Sequence, residues 1–391
     1  MIVFLNLSAS GHINPTLPIV QDLVRRGEVV TYFAGEPFKD QIEKTGAQYV
    51  ALGGRASASM PLGNDQIKRL PYIMAQRSPQ TVPALLARVG EFQPNLLVYN
   101  ALHLTARLVA QILEIPAVTF RPFHAPLTRR LVDGDDLGEL TRAADEGLAR
   151  LAASMGRPTL SLAQVLSLRE PLNLVFVPKE FQAKSEEFDK SYLFVGPVLD
   201  MPQAGSWPFG DRGADRPRRL YVSLGTLRND KPEFYRCCLK AFAASDWEVV
   251  MSVGHSTDIS GLGAIPENFR VHPSVPQLAL LAHVDAFITH GGLNSVMESV
   301  SLGVPVVVVP EIDEQRLTAA RVEELGLGYR LEHGSFGADD LRQCVDRLTR
   351  DAMVRERVAA MRRLAVTAGG FRRASEAIVN LKSRGSDLGR S

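Results

Sequence analysis

The residues best suited to chemistry cluster in 290–315, HGGLNSVMESVSLGVPVVVVPEIDEQ. An apolar run over 286–289 enters a His290-Gly291-Gly292 turn, a helix opens at Asn294-Ser295, a second apolar run follows over 304–309, and Glu314-Gln315 closes the unit. Glycines at a strand-to-helix turn let backbone N–H groups approach an anion, and the helix N-terminus adds donors and the positive end of its dipole. Asn294 and Ser295 bring side-chain donors to the same mouth, and His290 sits where a strand end points it into a crevice. The chemistry expected here is the grip of a nucleoside diphosphate without a metal ion.

A second turn, Ser223-Leu224-Gly225-Thr226, leaves another apolar run; Gly225 permits close backbone approach, and the Ser223 and Thr226 hydroxyls can donate to oxygen. Alone it reads as an ordinary strand exit, and only its pairing with the His290 turn makes a diphosphate contact the better reading. Glu298 falls on the helical face of Asn294 and Ser295, one turn deeper, where a carboxylate can accept from vicinal ribose hydroxyls, although the helix dipole alone also favours an acid there. His12 lies on the turn leaving the first apolar run, just before a helix start signalled by Asn14-Pro15, so a rigid support should project its imidazole.

These side chains need a scaffold, and the pattern supplies one twice. Strands are predicted over 2–6, 29–33, 48–51, 96–99 and 117–120, with helices over 18–26, 82–92 and 104–113; the second half repeats this with strands over 220–223, 248–252, 286–289, 304–309 and 328–331 and helices over 232–243, 295–301, 315–325 and 338–350. The fold class is α/β, two doubly wound Rossmann-like domains whose strand carboxyl ends face a shared cleft. Boundaries are expected at 1–200, a Pro/Gly-rich linker over 201–218, a second domain over 219–370, and a terminal helix in 371–391. The length of 391 residues suits two cores, and a net charge of +1 recruits neither nucleic acid nor an acidic membrane surface. No leader or membrane span is expected, and Cys237, Cys238 and Cys344 lack metal spacing, which together suggest a cytoplasmic protein.

With these motifs in order, the chain resembles UDP-dependent glycosyltransferases of the GT-B fold, nearest the bacterial macrolide-type branch that glucosylates natural products. The resemblance runs through Gly-His-x-Asn-Pro (11–15), Ser-Leu-Gly-Thr (223–226), Val-Pro-Gln (275–277) and the 290–315 signature. It implies that His12 is the general base, that Val275 and Gln277 read uracil, that Glu298 holds the ribose, and that Glu314 and Gln315 read the hexose, glucose by the amide at Gln315; helix capping is the rival reading of that pair, of Glu314 in particular. It implies inverting, metal-independent transfer, with no cofactor beyond the UDP-sugar co-substrate.

The chain departs from that pattern at two positions. The aspartate that orients the histidine is matched by Asn100, whose oxygen is expected to accept from the imidazole N–H but carries no charge to stabilise an imidazolium. An acidic acceptor such as a phenol, a carboxylate arriving from elsewhere such as Glu36, and a weakened enzyme all fit. A tryptophan that would stack on the base is replaced by Ser274. For a small lipophilic acceptor, Met60, Ile73, Met74, Phe120 and Phe123 are the candidate lining. Two rival functions stand beside the transferase: a UDP-sugar epimerase of the same fold, and a catalytically weakened sugar-nucleotide-binding homologue.

Overall fold

The computed structural model describes residues 1–52, 64–123, 138–199, 217–226 and 228–388. The chain forms two compact units, Met1–Val198 with Ala368–Ser391, and Leu199–Thr367. All but the last residues of the expected linker over 201–218 lie outside the described residues.

In the first unit, β1 (Ile2–Leu5), β2 (Val30–Ala34), β3 (Gln48–Ala51), β4 (Leu96–Asn100), β5 (Ala117–Arg121), β6 (Leu172–Val175) and β7 (Tyr192–Phe194) form one parallel sheet ordered β3-β2-β1-β4-β5-β6-β7. Side chains alternate across a strand, so each face acquires its own core. Ile2, Phe4, Tyr32, Val98 and Phe120 pack on one face, and Val3, Leu5, Phe33, Leu97 and Tyr99 on the other. The first face is covered by α1 (Ser10–Ile13), α2 (Leu17–Arg25) and α3 (Lys39–Glu43), through Ile13, Ile19, Leu23 and Ile42. The C-terminal helix, Gly370–Leu388, joins them there through Ala374 and Ile378 and pins itself to α2 by Ser375 donating to Asp22. Over the second face lie α4 (Asn64–Gln76), α5 (Ser78–Gly90), α6 (Leu104–Leu113), α7 (Gly138–Ser154) and α8 (Leu162–Ser167).

The second unit repeats the plan with β8 (Arg218–Ser223), β9 (Trp247–Ser252), β10 (Phe269–His272), β11 (Ala286–Thr289), β12 (Val306–Val308) and β13 (Gly328–Arg330), all parallel in the order β10-β9-β8-β11-β12-β13. Its helices are α9 (Pro232–Phe242), α10 (Gln277–Leu281), α11 (Leu293–Leu302), α12 (Asp313–Glu324), α13 (Ala338–Arg350) and α14 (Ala352–Thr367). Among the described residues, no helix is long and apolar enough to cross a membrane.

Apolar runs mark most strands to within about two residues but miss β6, β7 and β10. The reasons are local. Buried Asn173 breaks the apolar run of β6, where its Oδ1 accepts from Thr119 Oγ1 at 2.7 Å. Strand β7 has only three residues, and β10 is an edge strand whose Arg270 and His272 face solvent.

Candidate active site

Each sheet reverses its strand order once, between β1 and β4 and between β8 and β11, and open parallel sheets bind ligands beyond the carboxyl ends of the strands at that point. The predicted chemistry falls at these two places.

In the first unit, β1 and β4 pair in register up to Leu5 and Tyr99, so the residues that follow them emerge side by side. His12 sits on α1, and Asn100, fully buried, ends β4. Their side chains meet: Asn100 Nδ2 lies 2.8 Å from His12 Nδ1. The contact is reversed from the expectation that the Asn100 oxygen would accept from the ring. That oxygen instead accepts from Leu102 N–H at 3.0 Å, and Nδ2 also donates to Asn6 Oδ1 at 3.2 Å. Asn6, which sequence reasoning missed, supports the whole group: its Oδ1 accepts from Leu7 N–H at 2.8 Å, and its Nδ2 donates to His12 O at 2.9 Å and to Tyr32 Oη at 2.7 Å. Burial pushes the His12 pKa down to about 4. Among the described residues no carboxylate bonds to His12, and Glu36 is exposed on the turn after β2.

In the second unit, Ser223 and Thr289 are register partners, which sets the two glycine turns side by side. The His290 ring fills the gap between them. A Cβ on Gly225 would come within 2.6 Å of His290 Cε1, and one on Gly292 within 2.5 Å of His290 Nε2. Gly225 has φ +82° and Gly291 φ +87°, conformations that a side chain would strain. The first turn is tightened by Ser223 Oγ accepting from Gly225 N–H at 3.3 Å and by Asn229 Nδ2 donating to Gly225 O at 2.6 Å, while Thr226 stays exposed. Burial lowers the His290 pKa to about 4, against a smaller opposing pull from Glu311.

Helix α11 starts from Gly292 with no side-chain cap, so its first turn presents backbone N–H groups at the strand ends, with half-buried Asn294 and Ser295 beside them. One turn in, Glu298 Oε2 accepts from Gln277 Nε2 at 2.7 Å; the same Nε2 reaches Ser295 Oγ at 3.2 Å, and Gln277 Oε1 accepts from Tyr221 Oη at 3.3 Å. Gln277 is therefore committed to positioning Glu298, and its side chain does not stand open to a base. Burial raises the Glu298 pKa, with the Gln277 bond offsetting part of it. Val275 is half-buried and Ser274 exposed on the loop before α10.

Glu314 and Gln315 open α12. The Gln315 oxygen accepts from Glu311 N–H at 2.8 Å and Ile312 N–H at 3.2 Å, so it caps the helix and leaves only its amide N–H groups for a sugar. The Glu314 carboxyl has no side-chain partner among the described residues, and burial lifts its pKa to about 7. The charges at this mouth lie outside the sequence motifs: Glu311 pairs with Lys231 and, at 3.5 Å, with Arg228. Their only sequence signal is the basic residues just after the Ser-Leu-Gly-Thr turn.

The acceptor candidates divide. Phe123 is buried with its ring centroid 6.4 Å from that of His12. Phe120 is corrected: it is a core residue of β5, stacked on Phe176 at 5.9 Å, because strand alternation turns it to the α2 face. Met74 packs against the opposite core, Ile73 is half-buried on α4, and Met60 lies outside the described residues. Among the described residues, no group of three His, Cys, Asp or Glu side chains is placed to hold a metal ion.

The chain is similar to known proteins along its length. Residues 236–369 match the family described as erythromycin biosynthesis protein CIII-like, C-terminal domain. The chain is 36% identical over 383 residues to NDP-glycosyltransferase YjiC of Bacillus subtilis (strain 168), covering 96% of each. It is 31% identical to demethyllactenocin mycarosyltransferase of Streptomyces fradiae, covering 98% of this chain and 86% of that one. Among solved structures, the calicheamicin glycosyltransferase CalG4 superposes with a TM-score of 0.85 at 31% identity over 98% of both chains.

Proposed function

The chain belongs to the GT-B glycosyltransferase family whose members include macrolide and other natural-product transferases, and from that premise we propose that it moves a hexose, glucose foremost, from a UDP-sugar to an oxygen of a small lipophilic acceptor such as a phenolic, flavonoid or macrolide. Transfer inverts the anomeric carbon and uses neither metal nor cofactor. One observation carries the reading: the His290 ring seated between two glycine turns at a strand-order reversal, with the uncapped start of α11 beside it.

In this reading the diphosphate lies on the Ser223–Thr226 and His290–Gly292 turns. Arg228 and Lys231 exchange part of their pairing with Glu311 for the diphosphate oxygens. Fixed donors of this kind stabilise the charge that develops as the glycosidic bond breaks, without reorganising at that moment. Glu298, held by Gln277, accepts from the ribose hydroxyls, and Glu314 accepts from the hexose. The first unit takes the acceptor, with His12 facing its nucleophile and Phe123 supplying an apolar wall.

Titration of the full chain with UDP and UDP-glucose, followed by UDP release with and without an acceptor panel, tests this. The reading expects binding of both and release that depends on acceptor. Isomerised UDP-sugar without acceptor would identify an epimerase, and binding without any turnover a weakened homologue.

A further inference from the structure

We propose that the acceptor oxygen is already anionic at neutral pH, as in a carboxylate or an acidified phenol, and that Asn100 sets this preference by holding His12 as the Nε2–H tautomer. The inference rests on the glycosyltransferase reading above and narrows its acceptor class.

The orientation of the Asn100 amide is dictated by main-chain groups whose roles are unambiguous. Turning it over would set its Nδ2 against the Leu102 N–H and its oxygen against Asn6 Oδ1, where bonds of 3.0 and 3.2 Å now exist. Turning Asn6 over as well would face its amide N–H groups toward Leu7 N–H and its oxygen toward the His12 carbonyl. Leu7, Leu102 and the His12 carbonyl thus fix both amides, and Asn100 Nδ2–H donates to His12 Nδ1.

A neutral imidazole that accepts at Nδ1 carries its proton on Nε2. No residue among those described partners Nε2, which is left for a ligand. A general base needs the opposite arrangement, a lone pair on Nε2, and ends as an imidazolium with N–H on both nitrogens. Here that second N–H would meet Asn100 Nδ2–H head-on. Burial, which lowers the ring's pKa to about 4, acts in the same direction. His12 is therefore built to donate a hydrogen bond to a nucleophile and not to take its proton. An anionic oxygen requires only that donor, and the charge-assisted bond it forms is the stronger kind.

The step balances without a base. A lone pair of the anionic oxygen forms the bond to the anomeric carbon as the carbon–oxygen bond to the diphosphate breaks. That electron pair leaves with UDP, whose charge becomes one unit more negative, and no proton is taken up or released. The product is a glycosyl ester from a carboxylate or an aryl glycoside from a phenol. Asn100 acts through His12, which makes it a positioning residue.

Two readouts test the proposal. In the full chain labelled with ¹⁵N-histidine, and assigned by the signals lost in His12→Gln, the His12 Nε2 resonance should carry the proton and Nδ1 should not. In Asn100→Asp the proton should move to Nδ1. In parallel, kcat/KM is measured at one pH for an aryl carboxylate, phenols of graded acidity and an aliphatic alcohol. The ionised acceptors should exceed the alcohol by about 10²-fold or more, the scale of general-base catalysis that His12 does not supply. Asn100→Asp should narrow that ratio about tenfold. A wild-type proton on Nδ1, or an alcohol that matches the phenols, would overturn the inference while leaving the transferase reading intact. Failure of every acceptor to release UDP would overturn both.

Discussion

Glu314 and Gln315 are adjacent in sequence and do opposite work. Glu314 is a half-buried carboxyl without a side-chain partner among the described residues, its pKa lifted to about 7, whereas the Gln315 oxygen is tied to two main-chain N–H groups. Glu314→Ala should weaken UDP-glucose by about 1–3 kcal/mol, the cost of a lost hydrogen bond to a buried group, and leave UDP unchanged. The ionised carboxylate is the better acceptor, so calorimetric affinity for UDP-glucose should fall as pH drops through about 7, a fall that Glu314→Gln should remove. Equal losses for both ligands would remove Glu314 from the sugar. At Gly225, Ala adds strain at φ +82° and a Cβ 2.6 Å from the His290 ring. About 1–3 kcal/mol of such strain displaces His290 or the turn, and UDP affinity in Gly225→Ala should drop at least about tenfold, a loss that titration reads directly. The residue types at these positions were legible in the sequence. Their pairings were not, because the direction of the Asn100 amide, and the choice of Gln315 over Glu314 as the cap of α12, depend on main-chain groups brought up by folding.

At the scale of elements, strand-to-helix turns carry the site, and their caps can be tested separately from ligand binding. Gln315→Ala removes the cap of α12 and should lower the melting temperature of the unliganded chain by the equivalent of about 1 kcal/mol. Glu314→Ala, which removes a carboxyl with no side-chain partner among the described residues, should not. An unchanged melting temperature in Gln315→Ala would return that side chain to the sugar. Helix α6 is capped by His103, whose Nδ1 accepts from Ala106 N–H at 3.2 Å. The strand-order reversals that gather His12 with Asn100, and Gly225 with His290, were legible as two runs of alternating strands and helices. The edge strand β10 and the tiny β7 were not, because a half-exposed strand needs few apolar residues and three residues show no period.

Across the whole molecule, buried titratable groups bound the pH range of stability from both sides. His12, His103 and His290 have pKa values near 4 in the fold, below the ordinary value of 6.5, so the unfolded chain binds protons first and stability is lost as pH falls from 6.5 toward 4. For His103 the proton also breaks the α6 cap. Glu314 acts in the other direction: its raised value favours the fold at low pH, and that contribution is lost as pH rises from 4.5 through about 7. These four groups together expect a melting temperature that peaks near neutrality, with the acid limb reduced in His103→Gln. A melting temperature flat from pH 6.5 to 4 would show that the three imidazoles are not held neutral by the fold. The claim on which everything else depends is sugar transfer itself, and its most direct measurement is mass spectrometry with proton NMR of the product formed from UDP-glucose and an acidic phenol. One β-linked glucoside is expected for each UDP released. UDP accompanied by free glucose, or an α-linked product, would contradict it.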